Sequence, residues 1–172
     1  FQILYWCGLR MGELLALTPA DIDIPKSMIH ITKSYQRIRG KDVITDPKTP
    51  KSKRDVVIPD FLRDELQDYM SRLYGITKKD RLFHITKTYL HHEMDRGAKK
   101  AGVQRIRIHD LRHSHVSLLI NMGFTAVAIG SRVGHESSDI TFRYAHMFPS
   151  EQKQMATMLN DAFVIKDKEG EE

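Results

Sequence analysis

Apolar positions recur at intervals of three and four along most of this chain and at intervals of two over one short early region. Phe1–Cys7 and Gly12–Leu17 read as helical segments around a Gly-Leu-Arg turn. Met28–Ser34 (MIHITKS) alternates apolar and polar residues, as a half-buried strand does. Lys41–Thr45 and Arg54–Ile58 are short and β-branched, and the polar stretch DPKTPKSK joins them. Three strands in succession without a helix between them predict an antiparallel meander, because parallel strands need a long crossover. After Pro59 the period lengthens: Leu62, Leu66, Tyr69 and Leu73 share one helical face, with Asp60 as the expected N-cap. Thr86–Ala101, His109–Met122, Thr125–Val133, Asp139–His146 and Glu151–Phe163 predict further helices, and Gly102 and Gly123 stand where C-terminal caps fall. Within His109–Met122, the residues Leu111, His115, Leu118, Leu119 and Met122 form one apolar stripe, which makes His115 a core histidine. The fold class expected is α+β, mainly α-helical with one small three-stranded antiparallel sheet.

Composition narrows the class. The 172 residues are 41% hydrophobic and 28% charged, enough apolar content for one domain with a sizeable core and too much for a disordered chain. No stretch approaches the roughly 20 apolar residues that cross a bilayer. The chain opens without methionine on FQILYWC, which reads as the middle of a helix and hence as a fragment of a longer protein. The single cysteine, Cys7, can form no internal disulfide and no thiolate zinc cage, so a reducing, cytoplasmic setting fits. Net charge is +5, unevenly spread: Lys33–Arg54 carries eight Lys/Arg against two Asp, whereas Val164–Glu172 carries two Lys against four Asp/Glu. Such a segment suits a polyanion, and a solvated basic hairpin describes it equally well. Residues 1–163 are expected to form one domain and 164–172 a flexible acidic tail.

The chemistry concentrates in HDLRHSH (His109–His115), three histidines and an arginine within seven residues. His109 and His113 have the spacing of a zinc-binding helix, but Asp110 stands where the catalytic Glu would be. Arg112 lies between the two imidazoles, and a fixed cation there repels a dication. A guanidinium flanked by hydrogen-bond donors suits an anion, because its planar fork donates two parallel bonds to phosphate. Read alone, the same residues also describe a solvated basic helix face. Two further stretches supply partners. GLRMGELLAL (Gly8–Leu17) sets Arg10 at a Gly-flanked turn before an apolar helix, with Glu13 three residues on, either pinning that arginine or decorating the helix N-terminus. VGHESSDITFRYAH (Val133–His146) sets His135 after a glycine and Tyr144 nine residues later.

Together, GLRMGELLAL, HDLRHSH, VGH and TFRYAH resemble the motifs of the tyrosine recombinases, or phage integrases, in that family's order and at plausible separations. The resemblance covers nearly the whole chain but only the family's C-terminal catalytic domain. It implies the DNA breaking-rejoining fold, with upstream DNA-binding domains preceding Phe1. The two departures are VGH where LGH is commoner and the long, Pro-containing hairpin.

What the resemblance implies for single residues is as follows. Arg10 and Arg112 would bind the non-bridging oxygens of the scissile phosphate, His109 and His135 would hydrogen-bond it and help move protons, and Tyr144 would be the nucleophile. The general-acid lysine would lie in the hairpin turn, where Lys48 matches best and Lys51 and Lys53 stand beside it. The implied activity is site-specific cleavage and rejoining of double-stranded DNA through a 3′-phosphotyrosine bond, without metal or cofactor, for a phage or other mobile element. The implied assembly is a recombinase tetramer on DNA, with accessory DNA-bending or excision factors, in the bacterial cytoplasm at the nucleoid and away from membranes. The alternatives are type IB topoisomerase-like relaxation, a catalytically inactive DNA-binding relative, and a metal-dependent phosphohydrolase built on the histidines.

Overall fold

The computed structural model describes residues 1–47, 52–135, 137–148 and 155–159. Two short helices open it, α1 (Gln2–Trp6) and α2 (Met11–Ala16). Five strands follow: β1 (Ile22–Asp23), β2 (Met28–Ile31), β3 (Ser34–Ile38), β4 (Lys41–Thr45) and β5 (Arg54–Val57). The remaining helices are α3 (Asp60–Ser71), α4 (Lys87–Ala101), α5 (Ile108–Asn121), α6 (Ala126–Val133) and α7 (Ser137–Tyr144). Residues 155–159 are helical, within the expected Glu151–Phe163, and the expected tail at 164–172 lies outside the described residues. No helix among them is long and apolar enough to cross a membrane.

The small antiparallel sheet has three strands, in the order β1-β2-β5, and its membership differs from the meander read in the sequence. The strand expected over Met28–Ser34 breaks after Ile31. Lys33 turns aside there, its Nζ donating to Asp21 at 2.7 and 2.5 Å, and Asp21 is itself closed against the Thr18 backbone N–H and hydroxyl. The chain resumes as β3 and folds back on β4 through the two-residue turn Arg39–Gly40, giving a separate hairpin. Burial explains the exchange. Ile29, Ile31 and Val56 on β2 and β5 are sealed in the core, whereas Lys41, Asp42 and Ile44 of β4 are exposed and cannot occupy a core sheet. The hairpin is tied down through Tyr35. Its ring lies under the Arg81 guanidinium at 4.4 Å, and its hydroxyl donates to Asp42, which Arg81 also reaches.

Helix starts follow side-chain chemistry. Thr86 and Thr125 cap α4 and α6 by accepting from the N–H groups of Tyr89 and Ala128. Asp60, expected as the cap of α3, is instead its first helical residue; Pro59 takes the cap position and Asp60 pairs with Arg63 at 2.7 Å.

The apolar interior falls into two clusters. One gathers α1, α2, the sheet and α3 around Leu4, Leu15, Ile29, Val56 and Leu62. The other joins Val116, Ile120, Ile129, Val133, Ile140 and Tyr144 from α5, α6 and α7. Helix α5 touches both, so its buried line is turned from the stripe expected. It runs through Ile108, Arg112, His115, Val116 and Ile120, while Met122 is 63% exposed and Leu111, Leu118 and Leu119 are half-buried.

Gly8, between α1 and α2, makes this packing feasible. It sits at φ +63°, and a Cβ there would stand 2.6 Å from His115 Cδ2, so the backbone approaches α5 as only glycine permits. His115 is a buried histidine, as expected from the stripe. Arg132 Nε donates to its Nε2 at 3.1 Å, and burial first, then the charges of Arg132 and Arg112, push it down to about 4. A histidine of unfolded value 6.5 that folds neutral adds stability above that value and loses it as pH falls toward 4. Between pH 7 and pH 4, the unfolding free energy of this chain should fall by about 3 kcal/mol more than that of His115→Gln. Urea denaturation across that range measures the difference, and parallel curves would show that the ring is not held neutral.

Candidate active site

Helix α6 ends against three arginines. Gly134 caps it in the left-handed region, φ 67° and ψ 49°, and the N–H groups of Gly134 and His135 turn back to Ser131 and Gly130. The next three carbonyls, of Arg132, Val133 and Gly134, lie past the helical ladder and need other donors. Each takes a guanidinium. Arg54 Nε reaches Arg132 O at 2.9 Å, Arg112 Nη2 reaches Val133 O at 2.5 Å, and Arg10 Nη2 reaches Gly134 O at 3.5 Å. The helix dipole places its negative end at the same spot, which favours the cations.

Arg10 and Arg54 also share one buried carboxylate. Arg10 is the N-cap of α2, and Glu13 accepts from its backbone N–H and from Nη1, both at 2.8 Å. Arg54 grips the same carboxylate in a fork, at 3.1 and 2.9 Å. Glu13 therefore both pins Arg10 and closes the helix start, the two roles its spacing left open. Burial works to raise the Glu13 carboxyl, but the bonds and charge of Arg54 and then Arg10 outweigh it and hold the group below its ordinary value.

Arg112 is 2% exposed, and its described hydrogen bonds go to carbonyls, Gly8 O at 2.5 Å and Val133 O. Burial first, and then the neighbouring Arg10, lower it to about 9, so it remains a cation at neutral pH. Carbonyls orient a guanidinium without cancelling its charge. Of three guanidiniums gathered here, two bond the one carboxylate and Arg112 bonds only neutral oxygens, so the group of Arg10, Arg54, Arg112 and Glu13 carries a surplus of two positive charges.

His109 opens α5 beside this cluster. Burial lowers its value first, followed by the charges of His113, Arg112 and Arg10. Its ring meets that of His113 edge-on at 4.7 Å between centroids. Tyr144, the last residue of α7, is buried, and its hydroxyl is hydrogen-bonded to His113 Nδ1. Burial raises the Tyr144 phenol above its ordinary value, against the weaker pull of Arg143 and Arg112. His135 follows directly the Gly134 whose carbonyl Arg10 holds.

The residues expected from the sequence at Arg10, His109, Arg112, His135 and Tyr144 therefore lie around one spot, where the second cluster meets the start of α2. Lys48 and Lys51 lie outside the described residues. Lys53 pairs with Asp46 at 3.1 Å on the surface. Two roles at the site go beyond the sequence reading: His113, considered there only as half of a metal-binding pair, is the partner of Tyr144, and the buried Arg54 side chain ties Glu13 to the end of α6. Arg54 had a readable signal, since it shares an inward strand face with Val56 and Ile58. The contact of His113 with Tyr144 had none.

The model of the phage integrase family matches residues 1–151. The ICEBs1 integrase of Bacillus subtilis is 34% identical over 94% of this chain, and the integrase of Mycobacterium phage L5 is 28% identical over 83%. The chain spans 48% and 41% of those two proteins, about half the length of the curated relatives it matches. Among solved structures, the Tn1549 transposon integrase in complex with a circular intermediate DNA superposes with a TM-score of 0.76 at 21% identity, covering 92% of this chain and 56% of that one. The catalytic domain of bacteriophage HP1 integrase superposes at 0.60 and 24% identity, covering 91% of this chain and 77% of that one. These two likenesses establish the fold.

The two kinds of ion pair at the site should differ sharply in weight. Arg54→Leu takes the two-bond fork from a buried carboxylate, leaving it to Arg10 alone, and should lower the unfolding free energy by about 3 kcal/mol in urea denaturation. Lys53→Ala removes an exposed pair and should cost less than about 1 kcal/mol. Equal losses would contradict the burial described for Glu13 and Arg54.

Proposed function

Because the chain belongs to the phage integrase family, we propose that it cuts and rejoins double-stranded DNA at a specific site, as the catalytic part of a recombinase that integrates or excises a phage or other mobile element. The observation that carries this reading is the surplus of two positive charges fixed by Arg10, Arg54, Arg112 and Glu13 beside a tyrosine hydroxyl. A phosphodiester supplies the missing anion.

In this reading Arg10 and Arg112 hold the two non-bridging oxygens, and His109 and His135 donate to the same group. The phosphate gains negative charge as its phosphorus becomes five-coordinate. A preorganised donor at that point lowers the barrier by about 3–4 kcal/mol, without having to reorient during the reaction. Tyr144 attacks, forms the 3′-phosphotyrosine bond and releases the 5′-oxygen, which takes a proton from a hairpin lysine, Lys48. Forming a tyrosinate at pH 7 costs about 4 kcal/mol even in water. Burial of Tyr144 adds to that cost, so the attack needs a base at hand. The guanidiniums supply the positive charge that Mg²⁺ supplies in other phosphoryl-transfer sites, so the reaction proceeds without metal or cofactor. A 5′-hydroxyl from another strand then reverses the attack without ATP. The working unit is a tetramer on two DNA duplexes, assisted by DNA-bending or excision factors, in the bacterial cytoplasm at the nucleoid.

Two measurements test this. With a nicked duplex carrying the junction sequence of the element that encodes the chain, a covalent protein–DNA adduct should accumulate in EDTA, and Tyr144→Phe should abolish it; an adduct that persists in the variant removes Tyr144 from the role of nucleophile. Lys48→Ala should slow cleavage about 10²–10⁴-fold on an ordinary strand. It should cut normally where the 5′-bridging oxygen is replaced by sulfur, which departs without a proton. Slow cleavage of both substrates would assign the acid elsewhere.

A further inference from the structure

The contact of His113 with Tyr144 goes beyond the roles assigned above to His109 and His135. Arg112 and His113 are consecutive on α5, yet they serve different neighbours: Arg112 is buried against the carbonyls of Gly8 and Val133, while His113 is turned to the end of α7, where its Nδ1 meets the Tyr144 hydroxyl. His109 meets His113 edge-on, one helical turn earlier.

Resting on the reading of Tyr144 as nucleophile, we propose that His113 is the general base of the reaction. Its Nδ1 takes the phenolic proton as Tyr144 attacks and returns it when the strand is rejoined. In cleavage the Tyr144 O–H bond breaks and its proton passes to Nδ1. The phenolic oxygen forms the new bond to phosphorus, the P–O5′ bond breaks, and the departing oxygen is protonated by the lysine acid. The imidazolium left at His113 is the proton source for the reverse step, in which the incoming 5′-hydroxyl gives its proton to the now neutral lysine, its oxygen attacks phosphorus, and the tyrosine departs with the proton from His113. No oxidant or further reactant is needed.

The surroundings suit this cycle. A base at Nδ1 requires a neutral ring carrying its hydrogen on Nε2. Burial first, then the charges of Arg143 on α7 and of Arg107 and Arg112 at α5, lower the His113 value, with Asp110 opposing. The titratable His109 ring on the same helix adds a further neighbour that disfavours a second charge. The ring is thus unprotonated at neutral pH and ready to accept. His113 and Tyr144 also line an open cleft of about 660 Å³, with Ser114, Ser117 and Arg143, through which a small molecule can reach the vacated position.

The test is single-turnover cleavage of the nicked junction duplex from pH 5 to pH 8, read as adduct on a denaturing gel. The unsubstituted protein should lose rate about tenfold per pH unit below a midpoint under 6.5, as the base becomes protonated. His113→Ala should cut about 10²–10⁴-fold more slowly, lose that acid limb, and recover part of its rate with added imidazole, which also shows that the variant is folded. His113→Gln keeps an acceptor for the phenol without a usable base, and should be as slow as the alanine variant. Near-normal cleavage by His113→Gln would make the residue a holder of the tyrosine and overturn the proposal. Faster cleavage by His113→Ala would make the bond a latch on the resting enzyme, and would overturn it too. Tyr144→Phe separates the two levels. An adduct surviving in that variant defeats the nucleophile assignment, whereas its loss alongside a normal His113→Gln defeats only the role of His113.

Discussion

At the end of α6 the backbone carbonyls of Arg132, Val133 and Gly134 emerge without helical partners, and three guanidiniums close on them. Those arginines come from β5, α5 and the start of α2, so one helix terminus gathers segments far apart in the chain. An orphan carbonyl buried without a donor costs free energy comparable to a lost hydrogen bond, and a buried guanidinium costs more unless its fork is filled. Each group meets the other's need. The remaining charge is set by Glu13, which takes two of the arginines and leaves Arg112 bonded to neutral oxygens. That asymmetry leaves positive charge uncancelled, which is what the proposed phosphate site requires and what a closed salt-bridge network lacks.

The same geometry explains why the proposed reaction needs a base of its own. The positive charges act through space on the Tyr144 phenol, yet its burial in the second apolar cluster outweighs them, and the hydroxyl stays protonated. A position that favours the transition state of the phosphate does not automatically favour the attacking oxygen. In the proposed cycle His113 supplies what the arginines do not, because its Nδ1 touches the Tyr144 hydroxyl.

Much of this was legible in the sequence, and the remainder has identifiable physical causes. The extents of α3, α4 and α6 were legible because a single apolar face was enough to define each. The strand over Met28–Ser34 was read as continuous because alternation carries no information about Lys33 reaching back to Asp21. The stripe on α5 differs from the buried line because apolar spacing leaves out an arginine, and Arg112 is buried only where carbonyls from two other segments fill its fork. Arg54 was readable by its strand parity. His113 was not, because its partner lies 31 residues away and depends on how α7 packs back on α5. The short motifs brought Arg10, His109, Arg112, His135 and Tyr144 to notice individually, and only the tertiary fold put them side by side.

The grip on the three arginines has an uncommon form of robustness. Its acceptors are main-chain oxygens, so no exchange of side chain at 132 or 133 can delete them. What the grip requires is that the helix stop on time, and the left-handed turn at Gly134 decides that. Lengthening α6 by one residue would rotate all three oxygens by about 100° and carry them about 1.5 Å along the axis. The site is therefore tolerant of drift in amino-acid identity along this stretch and intolerant of insertions or deletions within it.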